Sequence, residues 1–207
     1  MYTEFRRVQE VEEAAASGQI SFIDHTYRTS PQYIEETASF WAAGAGQMEV
    51  IKYLHGIDHI DDTPLFSEGT MFHAALGGHM EVLLFLHNCR TEGCTSNTMD
   101  HAAKMGHLDI VQFLHANRTE GCTDDALVFA ARSCHLDIVK FLYDNRSEGC
   151  VWRAYAYACD SSDNRDVCEY LSELPCREHC PHCHNSHDME LFYQFVDEMH
   201  RLDHLPD

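Results

Sequence analysis

Positive charge is what this sequence has least of: 14 Lys and Arg stand against 34 Asp and Glu, a net charge of −20 with a pI near 5.0. Binding to DNA or RNA depends on basic groups that displace condensed counterions, so a nucleic-acid partner is excluded from the expected function. Long apolar runs are missing too, since no stretch approaches the ~18–20 apolar residues of a membrane helix. The opening segment MYTEFRRVQEVEE has no apolar core of the kind a secretory signal needs. The expectation is a soluble, cytoplasmic chain with no membrane partner. The glycine, histidine and serine signatures of common enzymes are absent as well: no phosphate-binding loop, dinucleotide fingerprint, HExxH helix or nucleophile elbow. No catalytic residue is therefore assigned. Compositional bias is also lacking, because 44% hydrophobic and 23% charged residues are near globular averages, which excludes global disorder.

What is present is a repeat. GHMEVLLFLHNCRTEGCT begins at Gly78, GHLDIVQFLHANRTEGCT at Gly106 and CHLDIVKFLYDNRSEGCV at Cys134, spaced 28 residues apart. Each block follows a paired alanine, at Ala74-Ala75, Ala102-Ala103 and Ala130-Ala131. Weaker copies surround Gly18, Gly46 and Asp163, so about six units extend over residues 3–173.

Each unit reads as two short helices. In the second, Leu108, Val111 and Leu114 with Ile110 and Phe113 make one wide apolar face, and Asp109 places a carboxylate in the first turn, where the helix dipole favours it. The first helix ends in the paired alanines, small enough for close backbone approach. Gly106 permits a tight reversal into the second helix, although Cys134 at the equivalent position points to a right-handed turn. Arg118-Thr119-Glu120-Gly121 forms the outgoing turn, and Thr123 is positioned to cap the next helix. Helices are predicted near 95–104, 107–116, 123–132, 135–144 and 151–159. A pair of this size cannot bury its apolar face alone, and stacking of equivalent pairs supplies the core.

The run from Ala102 to Leu114, a paired alanine, two residues, then Gly-His-Leu-Asp-Ile-Val-x-x-Leu, resembles the ankyrin repeats. Met71, Met99 and Leu127 occupy that family's first-helix leucine. The period is 28 rather than ~33, and the Thr-Pro-Leu-His tetrapeptide is absent in register. The missing residues fall between helix pairs, where the family projects a β-turn finger. The resemblance implies an all-α helix-pair solenoid over residues 1–173, a hydrogen-bonding role for His79, His107 and His135, and binding to a protein partner through the helix-one, concave face. A monomer is expected.

Cys94, Cys122 and Cys150 recur with the period, so each sits in a different layer and is read as a small apolar filler. Layers ~8–10 Å apart do not allow a disulfide. His73 and His101 share a slot with Trp41, Phe129 and Tyr157, which reads as aromatic packing. Beyond Leu174-Pro175 the pattern changes. Residues 174–187 hold Cys176, Cys180, Cys183 and His187, a Cys3His set for one structural zinc ion, with His184 as a substitute ligand. Reduced thiols and solvated histidines account for the same spacing, and both readings stand. Residues 188–207 carry Met189, Phe192, Met199 and Leu202 at helical spacing, an amphipathic helix suited to sealing the end of the array.

In a repeat protein the layer-defining residues recur and the partner-reading residues differ. The repeats differ after the paired alanine, at Leu76, Lys104, Met105, Arg132 and Ser133, and at the entry to helix one, at Asp124, Asp125, Trp152 and Arg153. These are the candidate partner-binding residues of a non-enzymatic interaction module. The alternative is a zinc-binding adaptor whose Cys/His segment carries the activity.

Overall fold

A computed structural model describes residues 2–58, 64–159 and 164–175. The described residues contain twelve α-helices and no strand: α1 (Tyr2–Ala16), α2 (Ile20–Thr29), α3 (Glu36–Gly44), α4 (Met48–Ile57), α5 (Glu68–Leu76), α6 (Met80–Cys89), α7 (Ser96–Met105), α8 (Leu108–Asn117), α9 (Asp125–Arg132), α10 (Leu136–Asn145), α11 (Val151–Ala158) and α12 (Arg165–Ser172). They form six consecutive pairs. The chain divides into two compact units, Met1–Gly121 with the first four pairs and Cys122–Asp207 with the last two.

The first helices make the stack. In the first unit α1 packs on α3, α3 on α5 and α5 on α7, and in the second α9 packs on α11. The alanine pairs allow this approach, because Ala42, Ala43, Ala74, Ala75, Ala102, Ala103, Ala130 and Ala131 are all fully buried. The second helices contribute the larger apolar groups. Val50, Ile51 and Leu54 of α4, Val82, Leu83 and Leu86 of α6, Ile110, Val111 and Leu114 of α8, and Ile138, Val139 and Leu142 of α10 are buried triads in register.

The reversal between paired helices is the same each time. The amide of Gly106 donates to the Ala103 carbonyl at 3.4 Å and that of His107 to Ala102 at 3.0 Å, which satisfies the last carbonyls of α7 in a Schellman motif. The paired alanine thus supplies acceptors as well as small side chains. Gly18, Gly46, Gly78 and Gly106 have φ of +76°, +69°, +77° and +83°. Cys134 corrects the expectation of a right-handed turn: its φ is +64°, so this residue accepts the left-handed conformation in spite of its Cβ, and the amides of Cys134 and His135 bond Ala131 and Ala130 as in the glycine repeats.

Helix boundaries lie one or two residues from expectation, for local reasons. His107 and His135 are caps, so α8 and α10 start at the following leucines. Thr123 Oγ1 accepts the Asp125 amide at 3.1 Å, and α9 begins there.

Candidate functional site

Two ladders of side chains join successive repeats and fix which surfaces are left for a partner. The first lies at the reversals. Gln47 Nε2 donates to the Ala16 carbonyl at 3.0 Å, His79 Nε2 to Gly44 at 3.0 Å and His107 Nε2 to Leu76 at 3.3 Å, each acceptor being near the end of the preceding repeat's first helix. Since a carbonyl only accepts, both imidazoles carry their proton on Nε2. In the second unit Asn164 serves in the same way, donating to Arg132 at 3.3 Å and to Ala158 at 2.9 Å. The hydrogen-bonding role expected of His79 and His107 is thus present, with its acceptor in the neighbouring repeat.

This ladder explains the glycines twice over. A Cβ at Gly46 would stand 2.6 Å from the His79 ring, and one at Gly78 would stand 2.5 Å from the His107 ring. The residue must therefore tolerate positive φ and also lack a side chain. Cys134 escapes the second demand, because the next repeat brings the smaller Asn164 in place of an imidazole, and the Cys134 thiol donates to Asn164 Oδ1.

The second ladder occupies the turns between pairs, where the β-turn finger is missing. Arg90 pairs with Glu92, Arg118 with Glu120 and Arg146 with Glu148. Each carboxylate also accepts a loop amide: Thr91 at 3.0 Å, and Thr119 and Ser147 at 2.9 Å. Burial opposes ionisation of Glu120, but the Arg118 guanidinium and the loop amides outweigh it and hold the carboxyl below the ordinary glutamate range. Glu92 and Glu148 are held low in the same way, against the same burial. Arg90 is further anchored by Asp58 at 2.8 Å and lies 4.4 Å above the Phe66 ring. Cys94 reaches Glu120 Oε1 in the next repeat at 3.8 Å, and burial together with that carboxylate pushes its thiol up. Cys94, Cys122 and Cys150 are all buried, and all remain thiols. Cys94 and Cys122 are more than fillers, since each touches the next Arg–Glu pair.

With these turns committed to cohesion, most of the exposed large apolar side chains among the described residues lie on first helices, Phe5 of α1 at 67% included, while Leu84 of the second helix α6 is 37% exposed. Trp41 of α3 is 54% exposed, Met105 of α7 48% and Tyr157 of α11 48%. The aromatic slot is divided. His73 stacks on Phe40 at 5.2 Å and meets the Phe72 edge at 5.4 Å, and His101 meets Phe72 at 5.1 Å, as expected of packing. Trp41 and Tyr157, in the same register, project into solvent instead. They are missing from the residues read as partner-binding, although alignment to His73 already gave their position.

The residues expected to read a partner fall into two groups. Lys104, Met105 and Arg132 are exposed, and Leu76, Ser133 and Trp152 are half-buried. Asp124, Asp125 and Arg153 are drawn into the repeat junction: Asp125 pairs with Arg153 at 3.1 Å, and Asp124 accepts the Gly149 amide at 3.3 Å. Cys176, Cys180, Cys183 and His187 lie outside the described residues, as do residues 188–207. Among the described residues no group of three or more His, Cys, Asp or Glu side chains is arranged to hold a metal ion, and no helix is long and apolar enough to cross a membrane.

Residues 39–125 and 99–180 match the family model of ankyrin repeats, in three copies. No curated protein matches the chain. With the helix pairs, the paired-alanine reversals and a family match over most of its length, the chain belongs to the ankyrin-repeat family, whose members are generally non-enzymatic and serve as protein-interaction modules.

Proposed function

We propose that this protein binds a protein partner through its first-helix face, with Trp41 and Met105 as apolar anchors in the first unit and Tyr157 in the second. The observation that carries this is the exposure of these three large side chains, each about half open, on three of the first helices. Aromatic residues and methionine are the types enriched at the core of protein interfaces. Lys104 and Arg132 stand close to this face in sequence and supply a polar rim. The second helices offer a different surface, with exposed Glu49, Lys52, Glu81, Gln112 and Lys140.

Site-specific photocrosslinking tests this reading. A photoreactive phenylalanine analogue at position 41, 105 or 157 should give a protein adduct in lysate, and the same analogue at 52, 81 or 140 should not. Adducts formed mainly from the second-helix positions would overturn it.

The zinc-adaptor reading rests on the spacing of Cys176, Cys180, Cys183 and His187 alone. Elemental analysis of reduced protein purified without added metal tests it: one zinc per chain supports it and no zinc removes it.

A further inference from the structure

Three cysteines that the binding face does not use converge in the second unit. Cys159 closes α11 and Cys168 lies in the following helix, α12, which packs against α11. Their sulfurs are 2.7 Å apart, within about 0.7 Å of the ~2.05 Å of a disulfide bond. Cys134 is the third sulfur. It acts electrostatically on Cys168 but is held by its hydrogen bond to the Asn164 side chain. The pair differs in kind from the period-locked Cys94, Cys122 and Cys150, because Cys159 and Cys168 belong to the same helix pair and meet across it.

We infer that Cys159 and Cys168 form a disulfide bond when the protein meets a small-molecule disulfide, and that the bond staples α11 to α12. Burial and the neighbouring Cys159 sulfur push the Cys168 thiol up to about 12, and exchange opens at either sulfur of the pair by the same chemistry. Where it opens at Cys159, the thiolate attacks one sulfur of the small disulfide; a mixed disulfide forms and one small thiolate leaves. Cys168 then attacks the Cys159 sulfur, gives up its proton and releases the second small thiol. One sulfur–sulfur bond breaks and one forms, the protein pair loses two electrons, and the small disulfide gains them. The cross-link would restrain the last helix pair, whose outer side lacks a further ankyrin pair among the described residues.

The test is thiol mapping of the full chain after incubation with oxidised glutathione, with remaining thiols then blocked by N-ethylmaleimide. Tryptic peptides 154–165 and 166–177 should be recovered joined, and a Cys176→Ser chain, in which Cys168 is the sole cysteine of the second peptide, should give the same link. Recovery of Cys159 and Cys168 both alkylated, or of either joined to Cys134 or to a cysteine beyond residue 175, would overturn the inference.

Discussion

At the scale of single residues, the reversal between helices sets the strictest demands. Left-handed backbone costs a residue with a Cβ about 1–2 kcal/mol. Gly106→Ala should therefore destabilise the protein by about that amount, read as a fall in the urea midpoint. Gly78→Ala should cost more than the backbone term alone, because its new methyl also meets the His107 ring. In the double variant with His107→Ala the two losses should fall short of their sum, since the clash disappears with the ring. Cys134→Gly should act in the opposite direction, stabilising by about 0.5–1 kcal/mol after loss of its bond to Asn164. A decrease in stability there would mean that the thiol–amide contact outweighs the backbone strain. His79→Gln should be nearly neutral and His79→Ala should cost about 1 kcal/mol, because Gln47 already makes this bond one repeat earlier.

At the scale of helices and turns, the buried triads and the Arg–Glu pairs do different work. Leu114→Ala removes a fully buried side chain and should cost about 2–5 kcal/mol, whereas Gln112→Ala on the solvent side of α8 should stay within about 0.5 kcal/mol. The turn glutamates confer pH dependence. Glu92, Glu120 and Glu148 ionise more readily folded than unfolded, so they add stability above the ordinary glutamate range, ~4.3, and lose it as pH falls through their lower folded values. A triple Glu→Gln variant should show a flatter stability profile between about pH 5 and 3 in thermal melts. An unchanged slope would contradict a role for these pairs. Much of this scale was legible in the sequence: the 28-residue period, the alanine pair and the apolar triad located every helix from α7 to α11 within two residues. The Arg–Glu pairing and the reach of Cys94 were not, because their partners lie two residues away across a turn or in the next repeat, and periodicity reports that residues recur without saying which neighbour each one meets. The left-handed Cys134 was obscured for the same reason. What permits its Cβ is Asn164, 30 residues onward, in one of the weaker copies, where the spacing departs from 28.

For the whole molecule, a net charge of −20 and half-open apolar groups on first helices of each unit set the terms of the proposed recognition. The acidic surface repels acidic partners and makes encounter with basic ones sensitive to salt. In the proposed binding mode the anchors supply the affinity that remains in salt. The proposed division of labour rests on exposed side chains in each unit. It is tested most directly by calorimetric titration of the protein recovered by crosslinking against two surface variants with unchanged thermal melts. Combined Trp41→Ala, Met105→Ala and Tyr157→Ala should weaken binding at least about tenfold, near 1.4 kcal/mol, while Lys52→Ala, Glu81→Ala and Lys140→Ala together should leave it within about twofold. Equal affinity of the first variant and the parent protein, or a loss confined to the second, would contradict the assignment of the first-helix face.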